Sequence, residues 1–112
     1  MRKPIIVANW KMYKTRAEAE AFCQALLPLL AETPAADAAI CAPFTQLDVL
    51  AKHLAGSAVK IGAQNFYPEA EGAFTGEIAP AMLKELGVSY VLIGHSERRG
   101  IFGESMDLIK RK

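Results

Sequence analysis

Short apolar runs alternate along this chain with longer segments in which apolar residues recur every three or four positions. The runs are "PIIVANW", "AAICA", "VKIGA" and "SYVLIG". Each has the length of one strand, and continuous apolar strands are typical of parallel sheets that helices cover on both faces. The pattern therefore predicts an α/β fold in which strands and helices alternate.

The segment after the first run predicts the first helix. Thr15 and Glu18 stand three residues apart, as in a capping box. Its apolar residues recur at helical spacing, at Phe22, Ala25, Leu26, Leu29 and Leu30. Pro28 cannot donate a backbone hydrogen bond to the carbonyl of Gln24, so we expect this helix to kink or end early.

Three further helices follow the other strands. In "TQLDVLAKHLAG" we expect Thr45 to cap the second helix and Gly56 to end it, with Leu47, Leu50 and Leu54 on one face. A long loop over residues 64–78 leads to "PAMLKELG", in which Pro80 fits the first helical position and Gly87 the position after the end. "GESMDLIKRK" begins a fourth helix.

In a parallel α/β sheet, ligands bind beyond the carboxyl ends of the strands. Here those ends are residues 9–11, 41–44, 63–65 and 94–97. The last of them belongs to "GHSERR", where the buried run "VLI" changes abruptly to polar side chains. We therefore expect the active site at this edge of the sheet.

The composition and net charge narrow the classes of binding partner. A chain of 112 residues with 52% hydrophobic and 22% charged residues has the composition of one globular domain. Its formal charge of +1 argues against nucleic acid or a membrane surface as partner, and no apolar run approaches the roughly 20 residues needed to cross a bilayer. The start "MRKPIIVANW" is too short and too quickly polar to predict a signal peptide, and the chain has only Cys23 and Cys41, so we expect a cytoplasmic protein with reduced thiols.

Several kinds of site are not supported by the motifs. The chain has neither a G-x-G-x-x-G after the first strand nor a G-x-x-x-x-G-K-[ST] sequence, which weakens nucleotide binding. Two cysteines and two histidines are few for a metal site, so we expect neither a metal nor a cofactor. "GHSER" approaches the nucleophile elbow of a serine hydrolase, but Arg98 replaces the closing glycine and His95 is adjacent to Ser96. A serine hydrolase using Ser96 stays as a weaker alternative.

Four separated motifs, in register, resemble the triosephosphate isomerase family. They are "ANWKM", "GAQN", "GAFTGEI" and "YVLIGHSERR", and the resemblance extends from Pro4 to Glu104. It implies a TIM barrel, of which residues 1–112 would be the N-terminal half, about four of eight strand–helix units, ending inside the fourth helix. It also implies interconversion of dihydroxyacetone phosphate and D-glyceraldehyde 3-phosphate, in glycolysis and gluconeogenesis.

The resemblance assigns roles to individual residues. In this family's mechanism a carboxylate removes a carbon-bound proton while a neutral imidazole polarises the carbonyl, and His95 matches that imidazole. Lys11 matches the catalytic and substrate-binding lysine, Asn9 a substrate-binding neighbour, and Glu97 a carboxylate associated with the lysine; we expect Ser96 to support the site. The family's catalytic glutamate, lid and phosphate loops match no residue here, so we expect the 112-residue chain alone to be inactive or nearly so.

The resemblance also implies a homodimer. Thr75, Gly76 and Glu77 match a protruding loop that enters the neighbouring subunit, with Glu77 near the partner's Arg98. Strands 1 and 4 of a half barrel would be sheet edges, and such edges invite pairing with a second copy or with a complementary C-terminal half. A non-catalytic half-barrel that serves assembly is the alternative function.

Overall fold

The computed structural model describes residues 2–30 and 34–112, and its strands form one parallel sheet. In chain order and in spatial order these are β1 (Ile5–Asn9), β2 (Asp37–Ala42), β3 (Val59–Ala63) and β4 (Tyr90–Val91). All three neighbouring pairs are parallel. The predicted α/β class is confirmed, and the arrangement is that of half a TIM barrel.

Helices follow each strand. They are α1 (Arg16–Leu26), α2 (Phe44–Leu54), α3 (Pro80–Glu85), α4 (Ser96–Gly100) and α5 (Met106–Arg111), with a 3-10 turn at Leu27–Leu29. Within the described ranges, none of them has the length and hydropathy required to span a bilayer.

Helix α1 begins and ends largely as its sequence predicts. The Oγ1 of Thr15 accepts from the backbone N–H of Glu18 at 3.3 Å, and Glu18 Oε1 accepts from the N–H of Thr15 at 3.1 Å, which completes the capping box. The helix ends at Leu26, before Pro28. The helical spacing predicts Leu29 on the apolar face, but Leu29 is 81% exposed because the helix ends before it.

Helix α2 confirms its predicted apolar face but not its predicted cap. It begins at Phe44, one residue before Thr45, with Pro43 as N-cap and no side-chain capping bond. Pro43 fixes the start because its carbonyl accepts the N–H of Gln46 at 3.0 Å. The three leucines of the predicted face are buried: Leu47, Leu50 and Leu54. At the helix ends, Gly56 and Gly87 adopt the left-handed conformation expected of glycines there, with φ of 76° and 80°.

The core lies where α1, α2 and α3 cover β2 and β3. Its residues include Cys23, Ile40, Leu47, Leu50, Ile61 and Leu83. Strand β1 is instead exposed along most of its length, with Ile6 67% exposed. Strands 1 and 4 form the two edges of the sheet, as predicted.

The fourth strand is shorter than its apolar run predicts. Only Tyr90 and Val91 pair as strand residues, although the N–H of Leu92 still donates to the Ala63 carbonyl at 2.9 Å. The pairing stops because β3 itself ends at Ala63, opposite Val91. The predicted fourth helix is α5, capped by Ser105, and the short helix α4 precedes it.

Candidate active site

The carboxyl ends of the strands surround a cavity of about 280 Å³. Five of the predicted site residues contribute to its lining: Asn9, Lys11, His95 and Glu97, and Arg98, which is predicted for the dimer interface. Asn9 is the last residue of β1, and His95 and Glu97 flank the start of α4. The fold thus brings together side chains from the first and last strand–helix units, as the common edge of a parallel sheet predicts.

Lys11 and Glu97 form an ion pair. The Nζ of Lys11 lies 2.6 Å from Oε1 of Glu97, and both side chains remain about half exposed. The hydrogen bond to Glu97, reinforced by its charge, raises the pKa of Lys11 above its ordinary value. The same hydrogen bond and the lysine charge hold the pKa of Glu97 below its ordinary value. The pair is therefore fully charged at neutral pH.

His95 caps the helix that follows it. Its Nδ1 lies 3.1 Å from the backbone nitrogen of Glu97 and accepts that N–H, while the Glu97 Oε2 is farther away, at 3.7 Å. A nitrogen that accepts a hydrogen bond carries no proton, so this contact leaves Nε2 as the nitrogen of the ring that can donate. A neutral imidazole with a proton to donate can polarise a carbonyl oxygen.

Sequence reasoning missed Gln64, although it lies in the "GAQN" motif. Its Nε2 donates to the carbonyl of Lys11 at 2.8 Å and lies 3.2 Å from Oδ1 of Asn9. The same Asn9 oxygen accepts the backbone N–H of Lys11 at 2.9 Å. Asn9 and Gln64 therefore hold the backbone on both sides of the Lys11 side chain.

A buried carboxylate beside the site was also missed. The Oε2 of Glu104 lies 2.6 Å from Nε of Arg98 and 3.0 Å from Nζ of Lys112, and the Lys112 and Glu104 side chains are almost fully buried. Lys112 also reaches Oδ1 of Asn65 at 2.6 Å. Burial alone would raise the pKa of Glu104, but the hydrogen bonds from Arg98 and Lys112 outweigh it and keep the pKa low. Spacing along the chain gives no signal for this cluster.

A family model described as triosephosphate isomerase matches residues 4–112. The chain belongs to the triosephosphate isomerase family. It is 52% identical to the triosephosphate isomerase of Carboxydothermus hydrogenoformans over 112 residues, which is all of this chain and 45% of that protein. It is 58% identical to that of Acaryochloris marina over 106 residues, 94% of this chain and 44% of that protein. The chain thus spans somewhat less than half the length of these relatives.

The position of Ser96 gives little support to a serine hydrolase. Ser96 is the exposed first residue of α4. The Nδ1 of the adjacent His95 is already bonded to the N–H of Glu97, and within the described part of the chain no hydrogen bond joins His95 to the Ser96 hydroxyl. The chain's membership of the triosephosphate isomerase family favours the isomerase interpretation.

The residues predicted to reach a partner subunit lie in the loop between β3 and α3. Thr75, Gly76 and Glu77 are all exposed there. The N–H of Glu77 donates to the carbonyl of Phe74 at 3.0 Å, and the Phe74 ring lies 4.5 Å from that of Tyr67. These contacts give the loop a defined shape, and its role in a triosephosphate isomerase dimer stays a prediction.

Proposed function

We propose that this chain supplies the electrophile and the cationic group of a triosephosphate isomerase site, for the interconversion of dihydroxyacetone phosphate and D-glyceraldehyde 3-phosphate. The observation that carries the proposal is the meeting of Lys11, His95 and Glu97 at one cavity, with the His95 Nδ1 bonded to a backbone N–H and Lys11 paired with Glu97. These two groups suit a reaction that builds negative charge on a substrate oxygen. The reaction needs no cofactor and no metal.

The roles follow from the chemistry of each side chain. The Nε2–H of His95 donates to the substrate carbonyl oxygen as a base removes the proton from the neighbouring carbon, and Lys11 stabilises the enediolate and the phosphate. Asn9 orients the substrate. Glu97 holds Lys11, and because its pKa is lowered it is a weak base for a carbon-bound proton. We assign Ser96, the residue after His95, a supporting role in the site.

Among the described residues, Glu97 is the one carboxylate that lines the cavity, so we assign the base to a part of the protein beyond them. The curated relatives are more than twice as long as this chain, and we assign the base, the lid and the phosphate loops to the part of them that it does not match. A positioned general base contributes typically about 10²–10⁴-fold to the rate. The chain alone is accordingly inactive or nearly so.

A homodimer completes the proposal. Thr75, Gly76 and Glu77 reach the neighbouring subunit, where Glu77 approaches the partner's Arg98. Their exposed position in a loop of defined shape supports this assignment. The site then draws on a second copy of the loop as well as on the C-terminal half of the barrel.

Mixing the chain with a complementary half tests the proposal. The partner is the C-terminal part of the Carboxydothermus hydrogenoformans relative, beginning after its match to this chain. We expect isomerisation of glyceraldehyde 3-phosphate that His95→Gln and Lys11→Met abolish. His53→Gln, on α2, is the matched control and should retain the activity. A stable complex in which His95→Gln is as active as the original chain contradicts the proposal.

The exposed β1 favours a second candidate, a non-catalytic half barrel that serves assembly. Ile5, Ile6 and Val7 are 46%, 67% and 42% exposed, and edge strands of this kind readily pair with another strand. The same mixing experiment separates the two. A well-defined complex without isomerisation supports the assembly function.

A further inference from the structure

The loop between β1 and α1 contains two residues in an unfavourable backbone conformation. Lys11 has φ of 55° and Lys14 has φ of 77°, and neither is glycine. A side chain with a Cβ disfavours this left-handed region, so contacts from the rest of the molecule must hold it.

Each of these lysines has its carbonyl oxygen bound by a glutamine side chain. The Nε2 of Gln64 donates to the carbonyl of Lys11 at 2.8 Å, and the Nε2 of Gln46 donates to the carbonyl of Lys14 at 2.5 Å. Gln46 lies in the first turn of α2 and is buried, whereas Gln64 follows β3 directly. We call Gln46 and Gln64 the glutamine clamp.

Gln64 has further contacts that fix the first of these positions. Its Nε2 lies 3.2 Å from Oδ1 of Asn9 and 3.3 Å from the carbonyl of Cys41, at the ends of β1 and β2. The Asn9 oxygen in turn accepts the N–H of Lys11. One amide therefore ties the Lys11 backbone to three neighbouring strands.

We infer that the glutamine clamp holds the β1–α1 loop in the left-handed conformation that directs the Lys11 ammonium to Glu97, and that Gln64 is the positioning residue for Lys11. The 2.6 Å contact between Lys11 and Glu97 depends on where the loop places the lysine Cα. A Lys11 with an ordinary negative φ projects its side chain in another direction. The consequence for catalysis rests on the proposed function, whereas the positioning itself does not.

Gln64→Met tests the inference because methionine keeps the size of glutamine and removes the donor without adding charge. The readout is NMR titration of the Glu97 carboxyl and of the Lys11 Nζ in the 112-residue chain. We expect the Glu97 midpoint to rise toward its ordinary value and the Lys11 midpoint to fall, while Gln24→Met, on the exposed surface of α1, shifts neither. A folded Gln64→Met variant with both midpoints unchanged overturns the inference, since a merely structural role lowers stability alone.

A second pair of variants covers the case in which Gln64→Met does not fold. Gln46→Met should destabilise the chain with Lys14 present and much less in a Lys14→Gly background, because glycine adopts the left-handed conformation without a clamp. Equal losses in both backgrounds overturn the inference. Neither test measures isomerisation, so failure of the proposed function and failure of the clamp are distinguishable.

Discussion

The Nζ of Lys11 lies 2.6 Å from Oε1 of Glu97, and this contact joins the loop after β1 to the helix after β4. The first and last strand–helix units of the chain thus meet at one ion pair. The same Glu97 donates its backbone N–H to His95, so a single residue orders both the lysine and the imidazole.

The Lys11–Glu97 pair should make the stability of this part of the molecule depend on pH. Glu97 has a lowered pKa, so its contribution to the free energy of unfolding is present above the ordinary value of 4.5 and is lost as the pH falls through the folded pKa. Lys11 has a raised pKa, so its contribution is present below 10.5 and is lost as the pH rises through the folded pKa. Lys11→Met should raise the Glu97 midpoint measured by carbon NMR. Lys52→Met, on the exposed surface of α2, should not, and equal midpoints in both variants contradict the pairing.

Replacement of Glu104 should lower the free energy of unfolding. Glu104→Gln leaves the buried Lys112 ammonium and the Arg98 guanidinium without their anion, and breaking a buried pair destabilises by about 3–5 kcal/mol. Urea unfolding measures the loss. Glu85→Gln, on the exposed surface of α3, is the control and should change stability by less than about 0.5 kcal/mol. If Glu104→Gln and Glu85→Gln lose similar amounts of stability, the contacts of Glu104 with Arg98 and Lys112 do not stabilise the chain as proposed.

Variants of Thr15 and Thr45 test which of these threonines caps a helix. Thr15→Ala removes the capping bond of α1 and should lower the free energy of unfolding by about 1 kcal/mol. Thr45→Ala lies inside α2 and removes no capping bond, so it should have little effect. Denaturant unfolding of the two variants under one set of conditions measures the difference, and a larger loss for Thr45→Ala contradicts the helix boundary.

Gly62 of β3 lies beside Cys41 of the neighbouring strand β2. A Cβ at Gly62 would lie 2.4 Å from the Cys41 Sγ, so Gly62→Ala should destabilise by about 1–3 kcal/mol through overpacking. Cys41→Ala removes that sulfur. The double variant should therefore lose less stability than the sum of the two single variants, as thermal unfolding can measure, and strict additivity contradicts a direct clash.

The elements that sequence predicts correctly are those determined by neighbouring residues. The capping box of Thr15 and Glu18, the early end of α1 before Pro28 and the limits of β3 follow from local chemistry. The gathering of residues 9–11 and 94–97 at one edge also follows, because parallel strands end at a common edge, whereas the pairing of Lys11 with Glu97 is implied by the resemblance to triosephosphate isomerases.

The elements that sequence misses depend on distant partners. The early end of β4 follows from the end of β3 at Ala63. Gln64 acts through the carbonyl of Lys11, and Glu104 through Arg98 and Lys112, so neither has a spacing that identifies it. Thr45 resembles a cap in the sequence, but Pro43 already fixes the start of α2.

Isomerisation of glyceraldehyde 3-phosphate by the purified 112-residue chain, beside its His95→Gln variant, tests the central claim most directly. We expect the same background from both, because the proposal assigns the general base to a part of the relatives that this chain does not match. Activity that is present in the original chain and absent from the variant contradicts the account, since it requires a base among these 112 residues.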